Sequence, residues 1–126
     1  MKYKVCIQAA GVGSRLTLGK GLHKALIPIN NKSTLSRIID LYPKKTSLVI
    51  IVGYEKNQII SFIEAKYPSL HVEYVEVKKF KGKGSGPGYS LLKAQEYLQE
   101  PFIFMACDTI VFKRPPLPTN NWIGVS

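Results

Sequence analysis

The residues best suited to chemistry stand together near the start of the chain, in IQAAGVGSRLTLGKGLHKALIPI, residues 7–29. A short apolar run breaks there into Gly11 and Gly13, then into Arg15, Lys20 and Lys24. A backbone without Cβ atoms can turn sharply and bring its N–H groups near phosphate oxygens, while arginine and lysine supply the opposing charge. The stretch therefore reads as a cradle for phosphate, with a tight strand-to-loop turn as the plainer alternative for its GxG pair. Two well-known cradles fit it poorly. A P-loop needs a Ser or Thr directly after its lysine to hold a metal, and GVGSRLTLGKG has none. A dinucleotide loop needs a third glycine where Leu16 stands, and an acid closing the second strand, which instead ends Val52-Gly53.

The charge balance supports an anionic ligand. Eighteen Lys and Arg against eight Asp and Glu leave a formal net charge of +10 over 126 residues, and such an excess points to polyanions: nucleic acid, phospholipid or phosphorylated small molecules. Many of the lysines fall in two glycine-containing loops, the one above and KKFKGKGSGPG at residues 78–88, rather than along one helix face. That distribution favours a compact phosphate-bearing ligand over a duplex, the bland alternative being solvated surface lysines. Only Phe80 interleaves an aromatic ring with the lysines, so a nucleic-acid-binding domain ranks last. Cys6 and Cys107 lie in apolar runs without metal-ligand spacing and read as buried reduced thiols in a cytoplasmic protein. No run reaches membrane-spanning length, and the opening residues lack the pattern of a signal peptide.

These groups need elements to position them, and the chain reads as alternating strands and helices. Val5–Ala9 is a buried strand, and the basic loop from Gly11 to Lys24 leads into an apolar piece, Ala25–Ile29. STLSRIIDLY reads as a helix capped by Ser33 or Thr34, with Leu35, Ile38, Ile39 and Tyr42 at helical spacing and Pro43 closing it. SLVIIVG is continuously apolar and β-branched, as a strand covered on both faces tends to be. Asn57–Lys66 reads as a second amphipathic helix and Leu70–Val77 as a third strand, with His71, Glu73 and Glu76 on solvated faces. A third helix carries Leu91, Ala94 and Leu98 on its inner stripe, and PFIFMACD is a fourth strand ending in Asp108. Alternation of this kind implies right-handed crossovers and an α/β fold, a mostly parallel sheet between helices, whose ligands bind beyond the carboxyl ends of the strands. The glycine loop, Gly53, the Gly/Lys loop and Asp108 all belong to that rim.

AAGVGSR followed by HKALIPI resembles the A-A-G-x-G-[ST]-R … P-K-x-L signature of the nucleotidyltransferases that make activated sugars and related nucleotide-linked compounds. The VGY after the second strand, the later glycine loop before a helix, and the Asp ending an apolar strand follow in the same order. The resemblance implies a Rossmann-like three-layer fold and Mg²⁺-dependent transfer of a nucleotidyl group from a nucleoside triphosphate to a sugar phosphate or other phosphomonoester. It implies that Ala9 and Ala10, with Gly84, Ser85 and Gly86, bracket the base, and that Gly11, Gly13 and Ser14 cradle the triphosphate. It further implies that Arg15 holds the departing phosphates, Lys24 neutralises the α-phosphate, and Asp108 binds the metal. His23 stands where the family usually has proline, which puts the local backbone in question. The family also continues for about a hundred further residues into an acceptor-binding region, within the usual domain range. Residues 1–126 are thus expected to form one such domain, incomplete, with Trp122–Val125 opening a further strand. A nucleotide-binding module without turnover is the alternative reading.

Overall fold

In the computed structural model, described residues are 2–10, 23–78, 87–107 and 115–119. Four strands make one parallel sheet: β1 (Lys4–Ala9), β4 (Ser47–Val52), β5 (Val72–Glu76) and β6 (Phe102–Ala106), ordered β5-β4-β1-β6. Between β1 and β4 lie a short hairpin, β2 (Pro28–Ile29) with β3 (Lys32–Ser33), and helix α1 (Thr34–Asp40). Helix α2 (Lys56–Lys66) joins β4 to β5, and α3 (Pro87–Lys93) precedes β6.

Sheet register shows why the central strands are apolar throughout. In β1, Val5, Ile7 and Ala9 point into a core shared with Leu35, Ile38 and Ile39 of α1 and Ile59 and Ile63 of α2. Cys6 and Ala10 point the other way, towards Val49, Ile51, Val75, Ala94 and Leu98. Strands covered on both faces cannot alternate apolar with polar residues, and every residue from Leu48 to Val52 is buried. The described residues thus make the expected three layers, with α1 and α2 on one face and α3 on the other.

The helix signals hold with small shifts. Ser33 is the cap of α1, its hydroxyl accepting the N–H of Ser36 at 3.2 Å. The stripe Leu35, Ile38, Ile39 and Tyr42 is buried, although α1 itself ends at Asp40. The third helix ends at Lys93 and tightens into a 3-10 turn at Gln95–Tyr97. Its inner stripe survives that change, with Ala94 and Leu98 buried and Leu91 half-buried. The hairpin is a feature the apolar reading of Ala25–Ile29 missed. Asn30 and Asn31 both take left-handed angles (φ 53° and 69°), as a two-residue turn between right-twisted strands requires. Asparagine tolerates that region better than most residues, which is the signal in NN that hydrophobic periodicity does not carry.

Strand order decides where a ligand can sit. From β1 the chain moves outward through β4 to β5, then returns to the opposite side of β1 as β6. The crossovers therefore diverge between β1 and β6, and the crevice beyond the carboxyl ends of those two strands is the topological switch point.

Candidate active site at the carboxyl rim of the sheet

The end of β1 is held by a set of polar contacts that sequence reading did not anticipate. His23 is 1 % exposed, and its ring Nε2 lies 2.9 Å from the carbonyl oxygen of Ala9. Its Nδ1 accepts the N–H of Ala25 at 3.0 Å, capping the 3-10 turn Lys24–Leu26. The backbone N–H of His23 donates to Oε1 of Gln58 at 2.6 Å, from the first turns of α2. The Gln58 amide in turn donates to Oε2 of Glu55 at 3.1 Å. Tyr54 donates its N–H to the carbonyl of Ala10 at 3.2 Å, and its ring lies 6.1 Å from that of His23. The loops after β1 and β4 are thereby tied together across the top of the sheet.

Lys24 follows His23 directly, so it is carried at this rim, beside the end of β1. Of the predicted site residues, Ala9, Ala10 and Lys24 are brought together here. Their backbone groups are already engaged: Ala9 O by His23, Ala10 N by Oε1 of Gln8 at 3.0 Å, and Ala10 O by Tyr54. Gly11, Gly13, Ser14, Arg15, Gly84, Ser85, Gly86 and Asp108 lie outside the described residues. The described residues on either side of the first group, Ala10 and His23, both stand at the end of β1. Cys107, the neighbour of Asp108, donates its N–H to Gln8 O at 3.1 Å, across the switch point.

Burial, first, and the charge of Lys24 lower the His23 pKa below its ordinary value, against the opposing pulls of the Ala9 carbonyl and Glu55. The φ of His23 is −60°, an angle proline also adopts, so the main chain here keeps the course that the signature's proline would give. What proline lacks is the N–H that Gln58 holds. Glu55 is a further finding, standing in the left-handed region at φ 52° immediately ahead of α2. A non-glycine residue there costs about 1 kcal/mol or more and needs surrounding structure to hold it.

No three His, Cys, Asp or Glu side chains among the described residues are grouped so as to hold a metal ion. Glu55 is engaged by Gln58, and Glu76, at the end of β5, by Lys56 at 2.9 Å. A cavity of about 400 Å³ lies at the other end of the sheet, among Asp40, Lys66 and Tyr67. Its Asp40 is paired with Lys32 and accepts the Tyr67 hydroxyl, and it belongs to the amino ends of the strands, away from the switch point. Among the described residues no helix is long and apolar enough to cross a membrane.

A parallel sheet with a switch point between β1 and β6 and helices on both faces is an open α/β domain of the Rossmann-like kind. The chain belongs to the MobA-like NTP transferase domain family, whose profile matches residues 5–117. It is 29 % identical over 109 residues to the UTP–glucose-1-phosphate uridylyltransferase AglF of Haloferax volcanii, covering 82 % of this chain and 42 % of that protein. It is also 29 % identical over 125 residues to the bifunctional protein GlmU of Methanococcus vannielii, covering 95 % of this chain and 28 % of the relative. Among solved structures, the CTP:phosphocholine cytidylyltransferase LicC of Streptococcus pneumoniae superposes with a TM-score of 0.66 at 20 % identity, over 96 % of this chain and 51 % of that one. The chain thus spans less than half the length of the curated relatives it matches.

Proposed function

We propose that this rim binds the triphosphate of a nucleoside triphosphate and supports nucleotidyl transfer to a sugar phosphate or another phosphomonoester. A phosphate oxygen of the acceptor attacks the α-phosphorus, the bond from that phosphorus to the bridging oxygen breaks, and pyrophosphate leaves with the electron pair. The product is a nucleotide-linked compound. The chemistry asks for in-line positioning and neutralisation of charge, with little covalent work for the protein. Lys24 would stabilise charge building on the α-phosphate. Gly11, Gly13 and Ser14 would offer N–H groups, and Arg15 would hold the departing phosphates with its planar fork. Ala9 and Ala10 with residues Gly84, Ser85 and Gly86 would flank the base. Asp108 would hold Mg²⁺, a hard cation that takes oxygen ligands and would offset phosphate charge; the described rim carboxylates are already engaged.

The observation that supports this reading is the bond of His23, the neighbour of Lys24, to the carbonyl of Ala9 at the carboxyl end of β1, the rim beyond which such sheets bind ligands. Pyrophosphate release tests it: the full-length protein with Mg²⁺ and mixed triphosphates should release pyrophosphate when the right phosphomonoester is supplied, and Lys24→Ala should lower that rate by about 100-fold. An unchanged rate in Lys24→Ala removes the lysine from the mechanism. A second reading is nucleotide binding without turnover. Triphosphate binding with no pyrophosphate from any acceptor would select it.

A further inference from the structure

All four polar groups of His23 are engaged: its N–H with Gln58, its carbonyl with the N–H of Leu26 at 2.9 Å, Nδ1 with the N–H of Ala25, and Nε2 with the carbonyl of Ala9. The two ring contacts decide the state of the ring. An amide N–H can only donate, so Nδ1 must present a lone pair to Ala25. A carbonyl can only accept, so Nε2 must carry the proton towards Ala9. Both hold at once in the neutral ring protonated at Nε2, and in no other state. Adding a proton at Nδ1 would set two N–H groups against each other across 3.0 Å and uncap the turn that begins with Lys24.

We propose that His23 is a positioning residue for the phosphate-binding rim: its neutral ring clasps the turn Lys24–Leu26 to the last residue of β1, so fixing where Lys24 stands, and protonation opens the clasp. The proposal rests on reading this rim as a triphosphate site. Facing the ring are Ala9 from β1, Tyr54 and Glu55 ahead of α2, Gln58 within α2, and Lys24 on its own turn. Glu55 favours the imidazolium, while burial and Lys24 oppose it, and burial is the largest influence. A histidine with its folded pKa below the unfolded one is neutral and fully stabilising above about pH 6.5. Stability from this group falls as the pH drops below that value and levels off beneath the folded pKa.

Two measurements on the full chain decide the matter. Long-range ¹H–¹⁵N correlation spectra of the ring nitrogens, followed from pH 8 to pH 5, should show the Nε2–H tautomer at neutral pH and a midpoint below about 6.5, with the Ala25 amide shifting in step. The Nδ1–H tautomer, or an Ala25 amide that ignores the ring's titration, overturns the clasp. The second measurement is calorimetric binding of Mg²⁺ with CTP, UTP or GTP at pH 7.5 and 5.5, comparing wild type with His23→Gln, which keeps a donor for Ala9, and His23→Asn, which keeps an acceptor for Ala25. Both variants should bind at least fivefold more weakly at pH 7.5 and lose less affinity than wild type between the two pH values, since titration of the nucleotide is common to all three. Variants that match wild type in affinity and in pH slope reduce His23 to a core residue and overturn the proposal. Wild type that binds none of the three nucleotides refutes the triphosphate reading instead, and the spectra still decide the clasp.

Discussion

Replacing Gln58 with leucine isolates the contact that ties α2 to the phosphate rim. The change conserves volume closely, and leucine and glutamine have similar helix propensities, so neither packing nor the helix itself should shift much. What is lost is the acceptor for the N–H of His23, a 2.6 Å bond to a residue 1 % exposed. The bond to Glu55 goes too, but that pair is exposed and contributes little. Leaving a buried donor unpaired costs about 1–3 kcal/mol, against about 1 kcal/mol for a hydrogen bond merely exchanged with water. Taking about 2 kcal/mol, and an unfolding entropy of about 2.1 cal/mol/K per residue over 126 residues, the melting temperature should fall by about 8 °C. Differential scanning calorimetry reads this directly, with urea melts as a check that the m-value is unchanged. Gln58→Glu keeps an acceptor at the same place and should recover part of the loss, offset by repulsion from Glu55. A fall of less than about 2 °C in Gln58→Leu would mean that water reaches the His23 N–H, and the cross-loop tie would then carry no weight.

Other expectations follow from the same contacts. Arg15→Ala should fold normally yet lose about tenfold or more in triphosphate affinity, about 1.4 kcal/mol; a melting point that rises with CTP, UTP or GTP as far as wild type does would remove Arg15 from the site. Asp108→Asn should abolish the magnesium dependence of that thermal shift, and a shift that still responds to Mg²⁺ would place the metal elsewhere. Ser33→Ala deprives α1 of its cap and should cost about 1 kcal/mol in denaturant melts. Burial pushes the Cys6 thiol up to about 12, so it should resist a disulfide reagent at pH 8 until the protein unfolds; rapid labelling of the native chain at Cys6 would contradict its placement in the core.

Much of this architecture was legible in local patterns. Strand β4 announced itself because residues buried on both faces have no polar alternation to confuse them, and α1 because Ser33, Leu35, Ile38 and Ile39 carry a cap and a stripe within one short segment. The β2–β3 hairpin escaped notice since its evidence is the left-handed tolerance of Asn30 and Asn31, a property of backbone angles rather than of hydrophobic period. The break of the third helix at Lys93 was equally hidden, as a 3-10 turn can keep Ala94 and Leu98 on the same inner face.

For the rim the division is sharper. Residue types and spacing marked Gly11, Gly13, Arg15, Lys20 and Lys24 as a candidate phosphate cradle, because flexible backbone and cations suit phosphate, and the alternation of elements put Asp108 at the same rim; their separate roles came from the resemblance. That His23 joins Ala9 to Gln58 was not written there. The three lie in separate segments, up to 49 residues apart between Ala9 and Gln58, and nothing in the residues beside His23 tells which distant groups its ring and N–H will touch. Strand order alone put β6 beside β1 and so opened the crevice between them; the clasp arises only once the sheet has brought the end of one strand under the first turns of a helix.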